Sequence, residues 1–306
     1  MRHAGLAMAA AMMVISACAS SEPATPAPTG LTEHQMLSRG AERSYLTYTP
    51  RSLNGPAPLV LMLHGGGGNS ENGMTMSGFN TLAEREGFVA VYPEGSGKRR
   101  FKTWNAGHCC AYALEERVDD VGFISDLIDR LVADGVADPS RVYVTGMSNG
   151  AMMTYRIGRE LPHKVAAIAP VVGAMFGDEV KAGSPVAALI ITGEQDTRVP
   201  ASGGNGSGRG LRSAPNDRPY APADHALSYW LKSNACSGQA QAVSTPAYTL
   251  RQGTGCEAPT LWYSLPEGGH AWPGGGRGTR RGDVPVENFD ASTLIWEFFS
   301  AQEVQR

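Results

Sequence analysis

Apolar residues along this chain fall into short unbroken runs separated by longer segments of helical period. Pro58-Leu-Val-Leu-Met-Leu63, Phe88-Val-Ala-Val-Tyr92 and the stretch from Val186 to Ile191 are apolar at nearly every position. A strand with one wet face alternates polar and apolar residues, whereas a continuous run is expected of a strand covered on both faces. Val142 to Thr145 and Val165 to Ile168 read the same way, and Tyr45 to Thr49, Val243 to Leu250 and Leu261 to Leu265 read as further strands. Between them, Asp120 to Ala133 carries Val121, Ile124, Leu127, Ile128 and Leu131, the spacing of one helical face. Helices are also predicted over Met76 to Glu86, Ala151 to Leu161, Asp224 to Ser233 and Asn288 to Ala301. Strands alternating with helices imply an α/β fold, with a mostly parallel, doubly wound sheet and helices on both faces.

The N-terminal segment departs from this pattern. Arg2 and His3 precede a short apolar stretch, Ala4 to Ile15, too short to span a bilayer comfortably and suited to a signal peptide over residues 1–17. Ile15-Ser16-Ala17-Cys18 resembles a bacterial lipobox, in which Cys18 is acylated and becomes the mature N-terminus. Ordinary cleavage near Ala17 or Ala19, with Cys18 incidental, is the alternative. A Pro/Ser/Thr-rich tether over residues 18–35 has too little apolar content to fold. One catalytic domain is expected over residues 36–306. No later apolar run reaches the length of a membrane span. An exported protein is expected, either an outer-membrane or cell-surface lipoprotein or a periplasmic or extracellular one, touching membrane only through the anchor.

Composition narrows the picture a little. The 306 residues include 38 Gly and 20 Pro, which indicates a loop-rich enzyme rather than a helical bundle. A net charge of −3 gives no reason to expect nucleic-acid binding. Setting Cys18 aside leaves Cys109, Cys110, Cys236 and Cys256, an even number in an oxidising compartment. Cys236 and Cys256 flank a predicted strand and are placed to pair across a hairpin-like loop. Cys109 and Cys110 are adjacent and either pair with each other or elsewhere, so three connectivities stay open. Zinc held by these two with His108 is a weak rival, because adjacent cysteines chelate poorly.

Chemistry enters with Gly146-Met147-Ser148-Asn149-Gly150. It reads G-x-S-x-G between a predicted strand and a predicted helix, the context of a nucleophile elbow. An acyl-transfer serine needs a histidine to take its proton and a carboxylate to orient that histidine. Asp196 follows the strand ending at Ile191, and His270 follows the strand ending at Leu265, so acid and base come after the serine in the order of an α/β-hydrolase. Glu194 lies too close to its strand, and Asp120 precedes the serine. The oxyanion hole requires two backbone N–H groups. Asn149 supplies one, and the loop His64-Gly65-Gly66-Gly67-Gly68-Asn69 the other, through Gly66 with Gly67 second. His64 is expected to order that loop rather than perform chemistry. Gly95-Ser-Gly-Lys98 lacks the residues of a phosphate loop, and Arg281-Gly282-Asp283 is a tripeptide that chance supplies.

Together these motifs resemble the secreted esterase family that groups polyhydroxybutyrate depolymerases with feruloyl and acetyl xylan esterases (carbohydrate esterase family one). The matching pieces are Leu63 to Asn69, Thr103 to Gly107 with Cys109-Cys110, Val118 to Ile124, Gly146 to Met153, Gly193 to Pro200, Gly268 to Gly274 and Leu294 to Phe299. The resemblance implies an α/β-hydrolase fold and a serine carboxylic-ester hydrolase with Ser148 as nucleophile, Asp196 as acid and His270 as base. It implies that Trp104, Trp272 and Gly67 border the substrate, and it supports a Cys236–Cys256 bridge. A monomer without metal or cofactor is expected, acting most readily on feruloyl or acetyl esters of plant polysaccharide. Short-chain polyester or its oligomers are the alternative substrate. The sequence carries a tether but no polymer-binding segment, which favours soluble esters over insoluble granules. A reading of another class is a non-catalytic surface lipoprotein that binds glycan or aromatic ligands in an inherited cleft.

Overall fold

The computed structural model describes residues 1, 30–207, 218–278 and 282–304. The expected signal peptide, Cys18 and most of the tether therefore lie outside the described residues, as does Arg281.

The continuous apolar runs form the central strands. β3 (Ala57–Leu63), β4 (Val89–Pro93), β6 (Ala167–Val171) and β7 (Ala187–Gly193) are buried at every position. Their side chains sort by parity, as a two-residue repeat requires. Leu59, Leu61 and Leu63 enter one core with Val142, Val144, Ala188 and Ile190. Val60 and Met62 enter the other with Tyr143, Leu189 and Ile191. Helices cover both faces. α4 (Asp120–Ala133), α5 (Asn149–Glu160) and α6 (Ala223–Ser233) pack on the first core through Leu127, Met153 and Trp230. α1 (Ser70–Ser77), α2 (Phe79–Glu86) and α7 (Ala291–Ser300) pack on the second through Met76, Phe79 and Phe299.

With β1 (Gly30–Ser38), β2 (Ala41–Thr49), β5 (Ala137–Met147), β8 (Gly238–Gln239), β10 (Thr249–Thr254) and β11 (Thr260–Leu265), the sheet order is β1-β2-β4-β3-β5-β6-β7-β11-β10-β8, and β9 (Val243–Ser244) pairs with β10. Neighbours from β4 through β11 are parallel, while β1–β2, β2–β4, β10–β11 and the pairings of β8 and β9 with β10 are antiparallel. This is the expected doubly wound, mostly parallel α/β-hydrolase sheet, extended by antiparallel strands at both edges. The short α3 (Ala111–Glu115) lies between β4 and α4.

Three departures from expectation change an element rather than only shift its ends. The tether ends earlier than residue 35, because Gly30–Ser38 pairs along its whole length with Ala41–Thr49 through a tight turn at Arg39-Gly40. The helix expected over Met76 to Glu86 is two helices, divided at Gly78, whose φ of 64° closes α1 in a left-handed cap. The strand expected from Val243 to Leu250 is interrupted by a turn in which Thr245 N–H donates to Tyr248 O at 2.8 Å. Cys236 and Cys256 are bonded to each other, as are Cys109 and Cys110. His108 pairs with Asp178 at 3.1 Å.

Candidate active site

Ser148 stands where β5 passes into α5. Its backbone takes φ 56° and ψ −121°, a positive φ that a non-glycine residue keeps only when its surroundings enforce it. Two glycines make the enforcement possible. A Cβ on Gly146 would lie 2.6 Å from Gly150 O, and one on Gly150 would lie 2.2 Å from Leu63 O and 2.5 Å from His64 O. The first turn of α5 therefore rests directly on the end of β3. Ser148 N–H donates to Val171 O at 3.1 Å, which ties the turn to β6 as well.

The other two predicted residues arrive on loops from adjacent strands. β7 and β11 are parallel with Gly193 opposite Leu265, so the loops after them leave the sheet side by side. Gln195 N–H donates to Gly268 O at 2.8 Å and joins the two loops. His270 Nε2 lies 2.9 Å from Ser148 Oγ, and His270 Nδ1 lies 2.7 Å from Asp196 Oδ2. Asp196 is 4 % and His270 8 % exposed, so this chain of hydrogen bonds is largely shielded from water. The remaining oxygen of Asp196 accepts from the N–H groups of Arg198 and Val199, each at 2.8 Å. A carboxylate has no donor, so Nδ1 donates to Asp196 and Nε2 of the neutral ring accepts from the serine hydroxyl. Such a relay can draw a proton from Ser148. Glu194 accepts from Ser264 Oγ at 2.8 Å, and Asp120 pairs with Arg43 at 2.8 Å and holds Asn105 N–H, so neither runner-up acid replaces Asp196.

The glycine loop after β3 lies beside the serine. A Cβ on Gly65 would sit 3.6 Å from the Ser148 Cβ. His64 holds this loop from within. Fully buried, it is bonded through Nδ1 to Gly65 O at 2.8 Å and accepts Gly95 N–H at Nε2, 3.0 Å away. Burial pushes its pKa down to about 4, so the ring is neutral and Nδ1 carries the proton. Among the described residues the N–H of Gly66 makes no hydrogen bond. The N–H of Asn149 lies in the first turn of α5, where no intrahelical carbonyl reaches it. Gly67, the expected second choice, is engaged: its N–H donates to Lys102 O at 2.7 Å.

Two expected substrate contacts are displaced. Trp104 and Trp272 are both 0 % exposed and belong to the cores rather than to an open cleft. Each indole N–H finds an internal acceptor, His64 O at 3.0 Å for Trp104 and Ser292 Oγ at 2.9 Å for Trp272, which removes the usual reason to stay at the surface. Trp104 acts instead through its backbone. The Asn149 amide accepts from Trp104 N–H at 2.7 Å and donates to Trp104 O at 3.0 Å, clamping the residue after the serine. Gly67, also expected at the substrate, lies under Phe101, whose ring a Gly67 Cβ would meet at 2.9 Å. Phe101 is 52 % exposed and is the aromatic residue that stands over the glycine loop. Only its place in the hairpin of residues 96–103 gives it that position.

A third group was not legible from sequence. Asp283 accepts the backbone N–H of His270 at 2.8 Å and lies 3.8 Å from the Arg198 guanidinium. It therefore links the base loop to the acid loop. Its only sequence signal was membership of a chance-like Arg-Gly-Asp tripeptide.

Comparison with known proteins finds similarity to esterases. Over 90 % of its length the chain is 28 % identical to a protein named putative esterase NocK, of Nocardia uniformis subsp. tsuyamanensis, and covers 90 % of that protein. Over 52 % of its length it is 32 % identical to the bifunctional acetylxylan esterase/xylanase XynS20E of Neocallimastix patriciarum, of which it spans 22 %. Among solved structures, the acetyl xylan esterase from Aspergillus awamori superposes with a TM-score of 0.62 at 18 % identity, over 88 % of this chain and 99 % of that one, a likeness of fold. The family model for Esterase PHB depolymerase matches residues 43–201, just over half of the chain, from β2 through the loop that carries Asp196. The chain belongs to the Esterase PHB depolymerase family.

Proposed function

We propose that the protein is a serine carboxylic-ester hydrolase working through an acyl-enzyme, with Ser148, His270 and Asp196 as its catalytic triad. The observation that carries this reading is the continuous relay from Ser148 Oγ through His270 to Asp196, 2.9 Å and 2.7 Å long, on an elbow of positive φ. Ser148 Oγ attacks the ester carbonyl while His270 Nε2 takes its proton. The N–H groups of Gly66 and Asn149 stabilise the oxyanion. His270 passes the proton to the departing alcohol, and water then attacks the acyl-enzyme by the same relay, releasing the acid and restoring Ser148. Asp196 holds the imidazolium that forms in between.

Acetyl or feruloyl esters on plant polysaccharide are the proposed substrates, supported by the match to XynS20E. Short hydroxyalkanoate oligomers are the second reading, supported by the family itself. Anchoring at Cys18 after export accompanies this proposal. Ser148→Ala should lower kcat for p-nitrophenyl acetate by several orders of magnitude, leaving only binding and oxyanion stabilisation. Undiminished turnover by that variant would sink the assignment, and the absence of both turnover and fluorophosphonate labelling in the wild type would favour a ligand-binding protein.

A further inference from the structure

The hairpin over the glycine loop carries charge opposite in sign to the whole molecule. Ser96 and Thr103 pair antiparallel, and Lys98-Arg99-Arg100-Phe101 forms the tip between them. The chain has a net charge of −3, yet residues 98–102 contain four cations. Glu94 lies 3.5 Å from Lys102 and neutralises it. The Lys98 ammonium faces the Tyr112 ring, 6.0 Å from its centroid. Among the described residues no carboxylate lies within ion-pair distance of Lys98, Arg99 or Arg100, and all three are exposed. Gly67 N–H donates to Lys102 O, and Gly68 bridges to Lys102, so the hairpin is fixed to the loop that borders Ser148.

Adjacent like charges repel, and a merely solubilising role needs no such concentration on the hairpin fixed to the glycine loop. We infer that Arg99 and Arg100, with Phe101, form a subsite for a carboxylate carried by the ester substrate, an inference that rests on the esterase reading above. Guanidinium groups present paired donors that match a carboxylate. The exposed Phe101 ring offers a face for the apolar or pyranose portion between that carboxylate and the scissile ester. Two substrates share this chemistry: a hydroxyalkanoate oligomer with a free acid end, and an esterified oligosaccharide bearing a uronate.

The test compares kcat/KM on matched pairs. One pair is a hydroxybutyrate trimer as free acid and as methyl ester. The other is an acetylated xylo-oligosaccharide with and without a glucuronate branch. The wild type should favour the anionic member of at least one pair about tenfold at low salt, and the advantage should shrink as ionic strength rises. The pair that shows it identifies the source. Arg99→Glu/Arg100→Glu should abolish the preference, with p-nitrophenyl acetate as the neutral reference. Arg99→Gln/Arg100→Gln, which removes charge without reversing it, repeats the test should the first variant fold poorly. Equal rates within both pairs, or a preference that survives the substitutions, would overturn the subsite. A wild type inactive on p-nitrophenyl acetate would overturn the esterase reading and the subsite with it.

Discussion

Individual side chains around Ser148 divide into those that would meet substrate and those that hold the others still. Asp283 is of the second kind. Asp283→Ala removes the acceptor of His270 N–H and the partner of Arg198, so the imidazole loses its register with Ser148. A displacement of about 1 Å can cost up to roughly a hundredfold. We expect kcat for p-nitrophenyl acetate to fall about tenfold or more with KM nearly unchanged, and Asp283→Asn, which keeps an acceptor, to recover most of it. An unchanged kcat in the alanine variant would show that the loop holds its place without the carboxylate. His64 acts on stability. The unfolded chain binds a proton near pH 6.5, which the buried ring refuses until about pH 4. This contribution is complete above pH 6.5 and is lost as pH falls through that window, by up to about 3 kcal/mol. His64→Gln should be less stable than wild type near pH 7, yet lose less between about pH 7 and about pH 5, as read from urea midpoints. Ser148, Asp196 and His270, the proposed triad, could be picked out because strand ends and residue type together mark them. Asp283 and Phe101 were not, since each owes its place to a contact between loops that no local pattern encodes.

At the scale of elements, the junction of β3, β5 and α5 does the positioning. A methyl group at Gly150 would strike two carbonyls of the adjoining backbone, atoms that cannot swing aside as a side chain can. Gly150→Ala should therefore cost more than about 3 kcal/mol and lower the melting temperature sharply. Gly183→Ala is the control, because a Cβ there meets nothing within 4 Å. Equal calorimetric midpoints for the two variants would mean that the elbow relaxes more easily than its geometry implies. The buried strands could be read from sequence because covering both faces leaves an unbroken apolar run. Edge strand β1 could not: its inward and outward positions alternate, and Leu31 and Leu37 point to solvent. Trp104 and Trp272 misled for a related reason. An aromatic residue beside a catalytic motif reads as cleft lining, but only tertiary packing reveals that both indoles have internal partners.

For the whole molecule, the predicted anchor is the feature still to be joined to the fold. Cys18→Ser should move the protein from the membrane to the soluble fraction of cells expressing it; an unchanged fractionation would reject the lipobox. If the anchor holds, the topology of the sheet sets where the point of attachment lies relative to Ser148. β1 runs antiparallel to β2, and β2 antiparallel to β4, so β1 points the same way as the parallel strands. Gly30, where the leash enters the fold, thus lies at the opposite end of the sheet from Ser148, which follows the C-terminal end of β5. A molecule moored by its N-terminus would carry its reactive end on the side of the sheet away from the point of attachment.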